Sequence, residues 1–301
     1  VFRHRIRVLR SLESAKERCR QEKKILYVIQ AHDVATNRKD ADKIVPQVQT
    51  ELLRLVKPEK IKSIPGLLPL YVGMRVTLQS KDCVRFGLVK GCTCTVEKIV
   101  LADREPRPKN VVAGHVHYLR YMLVSLLLRA EGEQWTLPAT ELPKDLPEEF
   151  DRVGCFQLRP TYDYLNTTWE DERLQIRRTG FRIMPADSMT VYAAQGNTYH
   201  AAIADMEKPP NLGSDEHWLA CYVMLSRAKT LEGLLILRPA LRHQLSRKPP
   251  QNLLDEMDRL QLLEHKTLDE LVAYLNSLPI SISDEFRTDV LAKNSASRER
   301  K

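Results

Sequence analysis

The sequence predicts an α/β protein whose parallel sheet, with helices on both faces, is interrupted by a small inserted β-barrel, and three observations predict it. After residue 180, strand-like and helix-like segments alternate ("FRIM", "ADSMTVYAAQ", "HAAIAD", "HWLACYVMLSRAK", "GLLIL"), the rhythm of a sheet flanked by helices. Between about 66 and 180 the pattern is instead one of short strands with turn signals, as in a small barrel. The first 62 residues return to helix, strand and helix, so they are expected to belong to the same sheet as the last part, with the barrel between its halves.

Taken in order, Val8, Leu12, Ala15 and Cys19 fall at helical spacing among Arg and Lys and define an amphipathic helix to about Gln21. "ILYVIQ" (25–30) is a short buried strand, and Val48, Leu52 and Leu55 mark a second helix stopped at Pro58. "SIPGLLPLYVG" is Pro/Gly punctuation. "MRVTL" alternates, "CTVEKIV" and "YLRYMLVSLLL" are rich in strand-forming residues, and Gly87 and Gly91 suit a tight turn or bulge. Residues 101–117 read as a long exposed loop. From Pro249 the tail offers an acidic amphipathic helix or helical pair, with a frayed end at "RTDVLAKNSASRERK". These readings divide the chain at 1–65, 66–179, 180–248 and 249–301.

Of 301 residues, 47 are Lys or Arg and 39 Asp or Glu, a formal net charge of +8. Residues 1–62 hold sixteen of the cations and eight of the anions, so the excess lies wholly in this block and the remainder sums to zero. A basic block in a balanced chain suggests nucleic acid; a solvated helix face explains it equally well. No apolar run approaches the roughly 18 residues that a membrane span needs, and no membrane partner is expected. The six cysteines (19, 83, 92, 94, 155 and 221) lack CxxC spacing, which disfavours a zinc site or disulfide framework and favours reduced thiols. "CTC" would put Cys92 and Cys94 on one face of a strand.

Two helix ends carry the candidate chemistry. In "TVYAAQGNT" (190–198), Gly196 fits the left-handed position just past a helix, but that does not explain why Gln195, Thr190 and Thr198 gather around it. In "YVMLSRAKTLEGLLIL" (222–237), Leu219, Val223 and Ser226 recur along one face and Arg227 arrives at the last turn. Arg227 either complements the helix dipole or reaches a neighbouring domain's nucleotide as a finger, a role worth roughly 10³–10⁵ in rate.

"FRIMPADSMTVYAAQGNTYHAAIADM" followed by "YVMLSRAKTLEGLLIL" resembles motifs V and VI of superfamily 1 helicases of the Pif/RecD type. "LPLYVGMRVTLQSKDCVRFGLVKGCTCTVEKIV" resembles the start of the SH3-like barrel that this family inserts into its second RecA-like domain. The likeness covers residues 66–100 and 180–238; residues 1–62 fit loosely as the start of that domain. It implies an ATP-dependent 5′→3′ DNA helicase whose cofactors are ATP and Mg²⁺ and whose partner is single-stranded or partial duplex DNA. By motif match Arg227 would be the arginine finger, with Gln195, Gly196 and Ser226 in the nucleotide cleft and Arg3 near motif IV. Thr190, Tyr192 and Thr198 would lie toward DNA, with Lys90 a further contact.

The sequence departs from the family where Tyr192-Ala193 replaces a usual His-Lys or His-Arg, where Lys90 replaces Asn, and where Cys94 replaces Gly. It also contains no GxxxxGK[ST] loop and no apolar strand ending in Asp-Glu, so nothing in it cradles a triphosphate or its magnesium. The expectation is therefore a half-site: the C-terminal half of a helicase, opening on Val rather than Met, whose other partner is the N-terminal RecA-like domain of the same full-length protein. Its expected compartment is intracellular: the nucleus if the source is eukaryotic, or the mitochondrion, with a bacterial or viral cytoplasm also open. Two other readings stay open, a non-catalytic nucleic-acid-binding protein derived from a helicase and an SH3-like protein-interaction module.

Overall fold

Arg7, Ser11, Ala15 and Cys19 recur every four residues and form the buried side of α1 (His4–Gln21), as helical periodicity requires. The computed structural model describes residues 4–55, 63–106, 115–169 and 172–277, and the chain divides into two compact units, residues 1–196 and 197–301.

The first unit continues through β1 (Leu26–Gln30), β2 (His32–Ala35), α2 (Pro46–Arg54), β3 (Leu67–Leu70), β4 (Arg75–Leu78) and β5 (Thr93–Val100). It goes on through β6 (Val116–Tyr118), β7 (Ser125–Ala130), β8 (Cys155–Leu158), β9 (Thr161–Trp169), β10 (Glu172–Gly180), β11 (Ile183–Pro185) and the one-turn helix α3 (Val191–Ala194). Five strands make an antiparallel sheet in the order β11-β4-β5-β7-β8. Its buried side alternates in the strand period, with Val76 and Leu78 on β4, Cys94 and Val96 on β5, and Leu126, Leu128 and Ala130 on β7. Four of these strands lie in the region expected as a barrel, but β11 comes from "FRIM", expected in the parallel sheet, and instead pairs antiparallel with β4; among the described residues β11 and β8 are the edges and do not pair with each other. Ala15 and Cys19 of α1 join the same apolar core, so one core draws residues from both sides of position 65.

The strand expected at 25–30 is β1, which pairs antiparallel with β3 and parallel with β6. The long exposed loop expected over 101–117 is corrected here: residues 107–114 lie outside the described residues, but the flanks are structured. Val116–Tyr118 is β6, and Glu105 is buried with its carboxylate accepting the backbone N–H groups of Arg120 and Tyr121 at 2.9–3.2 Å. A buried carboxylate satisfied in this way orders a segment that composition alone makes look solvated.

The chain crosses from β1 to β2 over the single residue Ala31, and β2 enters another antiparallel sheet, β2-β10-β9. One side of it packs on α2, where Val48 and Leu52 meet Leu165, Leu174 and Ile176. Arg178 lies on this buried side with no exposed surface. It makes a bidentate pair with Asp33 at 2.7 and 2.8 Å and donates to the carbonyl of Leu52 at 2.7 Å. At the end of β10, a Cβ on Gly180 would stand 2.8 Å from Cγ2 of Ile64, a close approach that only glycine allows.

The second unit holds β12 (Ala202–Asp205), α4 (Ser214–Leu225), β13 (Leu234–Arg238), α5 (Arg242–Leu245) and α6 (Gln251–Ser277). β12 and β13 pair in parallel across α4, which buries His217, Ala220, Cys221 and Met224. Parallel strands are ordinarily covered on both faces, yet Ile203 on β12 is 68 % and Leu235 on β13 is 59 % exposed. The expected tail helix is the single helix α6, and the end expected to fray, from Arg287, lies outside the described residues. The whole is a mixed α/β fold with parallel and antiparallel sheets. Among the described residues no helix is long and apolar enough to cross a membrane.

Candidate functional site

Arg227 stands two residues beyond α4, half-buried, and its side chain turns back on the helix it follows. Its Nε donates to the Val223 carbonyl at 3.0 Å, its Nη1 to the Asn197 carbonyl at 2.9 Å and its Nη2 to the Ser226 hydroxyl at 2.8 Å. Ser226 in turn donates to the Val223 carbonyl at 3.0 Å. The backbone fixes the same corner, because the Tyr199 N–H donates to the Arg227 carbonyl and the Lys229 N–H to that of Tyr199, across a parallel bridge between Tyr199 and Ala228. Arg227 therefore caps the Val223 carbonyl that the helix leaves open, as basic residues at helix C-termini do, and ties that end to the Asn197 carbonyl. Every acceptor it uses is neutral, and no carboxylate of the described residues pairs with it.

The stretch around Gly196 is built differently. The helix expected over 186–195 is only the four residues of α3, with Thr190 at its N-cap and Gln195 at its C-cap, both in extended conformation. Thr190 is buried and makes no side-chain capping bond. Its extended backbone (φ −76°, ψ 160°), with no capping bond from the hydroxyl, is where the helix starts. Gly196 has φ +84°, and a Cβ there would meet nothing within 4 Å. Its glycine is thus required by backbone conformation and not by a close neighbour. Gln195 and Thr198 are exposed, and Tyr192 is 67 % exposed. Just upstream, Asp187 is the main charge that raises the pKa of Arg18 on α1, ahead of Tyr71, an attraction that ties the α3 approach to the first helix.

The predicted residues do not form one cluster within a unit. Arg227, Ser226 and Thr198 belong to the second unit, and Thr190, Tyr192, Gln195, Gly196 and Lys90 to the first. Lys90 is exposed in the turn before β5, and Arg3 lies outside the described residues. In the basic block, several cations pair with acids on their own element, as in Arg10–Glu13 and Arg20–Glu17 on α1 and Arg54–Glu51 on α2. Such exposed pairs are the ordinary dress of a solvated helix. Among the described residues no three His, Cys, Asp or Glu side chains are placed to share a metal ion. Cys92 and Cys94 do share a face, their sulfurs 3.9 Å apart, and burial pushes both thiols' pKa values up.

Sequence reasoning missed the ion cluster where the parallel strands end. Arg238, the last residue of β13, makes a bidentate pair with buried Asp205, the last of β12, at 2.5 and 2.7 Å, and also bonds Glu207. Polar residues closing two apolar strands, "AIAD" and "LILR", were the available signal. The cluster holds the two strand ends in register, with one guanidinium shared between two carboxylates.

No family model and no curated protein matches this sequence. Among solved structures the chain is similar to the Pif1 helicase from Candida albicans, at 18 % identity and a TM-score of 0.44, over 82 % of this chain and 47 % of that one. It is similar to Bacteroides Pif1 bound to single-stranded DNA (16 % identity, TM-score 0.41, 79 % of this chain and 45 % of that). The Bacteroides Pif1 complex with ADP-AlF3 and single-stranded DNA is another (17 % identity, TM-score 0.41, 79 % and 46 %). The chain spans under half the length of each.

Proposed function

We propose that this chain is the C-terminal part of an ATP-dependent DNA helicase that moves 5′→3′ on single-stranded DNA. It would supply the arginine finger, while the P-loop and the Asp-Glu pair that hold ATP and Mg²⁺ lie in an N-terminal RecA-like domain of the same protein. The observation that carries this reading is the state of Arg227: a guanidinium at the end of the helix of a β-α-β unit, with all its bonds on neutral acceptors and none on a carboxylate. Charge-assisted bonds are roughly twice as strong as neutral ones. A phosphate oxygen brought to this corner would displace the Asn197 carbonyl or the Ser226 hydroxyl, and the side chain would trade a capping role for a catalytic one.

Motif order supports the same reading, since Gln195-Gly196 precedes Ser226-Arg227 as motif V precedes motif VI in the family that the sequence resembles. Gln195 and Gly196 are assigned to the nucleotide cleft, and Thr190, Tyr192, Thr198 and Lys90 to contacts with DNA. An exposed Tyr192 suits stacking on a base, worth roughly 1–3 kcal/mol where it occurs. The exposed apolar residues Ile203 and Leu235 suit a β-α-β unit that completes its sheet against the rest of a longer protein.

The test is ATP hydrolysis by the purified 301-residue chain with and without single-stranded DNA. No turnover above background is expected, and adding the P-loop half is expected to restore it. DNA-stimulated turnover by the pure chain alone would overturn the half-site reading.

A further inference from the structure

Alternation divides the β2-β10-β9 sheet into two chemically different faces. Leu165, Leu174, Ile176 and Arg178 turn toward α2; the residues between them turn to solvent. On that open face Tyr162 and Tyr164 of β9 are 54 % and 44 % exposed, their rings edge to face with centroids 5.8 Å apart. Arg177 lies opposite Tyr164 in the ladder, its guanidinium 5.8 Å from the Tyr162 ring, and Arg173 and Gln175 extend the same exposed row toward the hairpin end. His32 on β2 is exposed beside Thr179. Among the described residues this face presents no carboxylate: the nearest acid on β9, Asp163, points to the other side, where Arg182 holds it at 3.0 Å.

The register that creates this face is pinned. A slip of one residue would turn Arg177 inward and Arg178 outward, and the wholly buried Arg178–Asp33 pair opposes it. Two residues along a strand span about 6.7 Å, about twice the 3.4 Å rise of stacked bases along one strand. Tyrosines spaced in this way can meet successive bases of an extended chain, and the arginines beside them can meet its phosphates. Ring faces accept any base, and cations without competing anions favour a polyanion.

We propose that this face is a stacking platform for single-stranded nucleic acid, with Tyr162 and Tyr164 against bases and Arg173 and Arg177 on phosphates. It uses none of the residues assigned to the nucleotide cleft, and it stands whether or not Arg227 is a finger.

Binding of the 301-residue chain to fluorescein-labelled oligo(dT) and oligo(U), followed by anisotropy across a salt series, tests it. Replacing both tyrosines by alanine (Y162A, Y164A) is expected to weaken binding by roughly 30-fold or more with no change in salt slope. The matching double phenylalanine variant keeps the rings and should stay within about twofold of wild type. Arg173→Gln with Arg177→Gln should flatten the slope of log K against log salt by about 0.7 per arginine. Loss with dT, with U or with both supports the platform and names its nucleic acid. Unchanged affinity for both in the alanine variant, as a protein-docking face would give, overturns it, and so does an equal loss in the phenylalanine variant. An Arg227→Ala enzyme without ATP turnover but with these affinities intact would separate the two proposals.

Discussion

Arg178 in the first unit and Arg227 in the second each donate several hydrogen bonds, yet only Arg178 faces a carboxylate. Arg178 is wholly buried, paired with Asp33 through two nitrogens and tied to the Leu52 carbonyl at the end of α2. Burial makes that pairing obligatory, because a guanidinium out of water without a counter-charge costs several kcal/mol. Arg227 is half-buried, its bonds go to two carbonyls and a hydroxyl, and its charge is left uncompensated. The difference separates an arginine that specifies a fold from one that, on the proposed reading, is left for a phosphate. Neither the residue type nor the number of its bonds would have told them apart.

The largest expected effect tests the open arginine. In the complete protein Arg227→Ala should lower ATP turnover by roughly 10³–10⁵, with single-strand affinity nearly unchanged and a stability loss of about 1 kcal/mol from the lost caps. Arg227→Lys should recover little, since an ammonium lacks the planar fork. If DNA affinity falls with turnover, or the second unit melts, Arg227 is structural and the comparison collapses. The closed arginine should behave in the opposite way. Asp33→Ala strands a buried cation and is expected to cost about 3–5 kcal/mol in urea unfolding. Adding Arg178→Met should return part of that loss, because no buried charge is then stranded and the Leu52 carbonyl keeps the Leu55 N–H as a donor. A cost below about 1 kcal/mol for Asp33→Ala would mean that burial does not make this pair what it is taken to be.

Local pattern explains why the sequence tells some of this and not the rest. α1 could be read from its helical spacing and β1 and β13 from short apolar runs, and the position of Arg227 at a helix end follows from α4 alone, although α4 buries His217, Ala220, Cys221 and Met224 and not the expected row of Leu219, Val223 and Ser226. The Arg178–Asp33 pair could not, since 145 residues separate its partners and nothing near either one announces the other. The same holds for the parallel partner of β1, which came from a stretch that looked like loop until Glu105 is seen buried against backbone N–H groups. Residues 186–195 read as helix because Ala and Gln suit one, but Pro185 and Thr190 favour extended and capping backbone, and a single turn is left. The tyrosine–arginine face was hidden for a related reason: alternation gives two faces to β9 and β10, and only packing on α2 decides which one stays open.

The smallest expected effect concerns Gly196, where conformation and function make separate demands. Its φ of +84° is costly for any residue with a Cβ, about 1–2 kcal/mol. No neighbour lies within 4 Å of where that Cβ would be, so strain is the whole of the structural penalty. Gly196→Ala should therefore lower stability by about that amount. Gly196→Asn should lower it by less, because asparagine tolerates the left-handed region. Activity divides the readings where stability cannot. If Gly196 only turns the chain, ATP turnover in the complete protein follows folded fraction in both variants. A wall of the nucleotide cleft would instead lose turnover in the asparagine variant, which keeps the backbone but fills the space beside Gln195. That outcome would place the first unit's helix end with Arg227 among the groups that wait for a ligand, and not with Arg178 among those that build the fold.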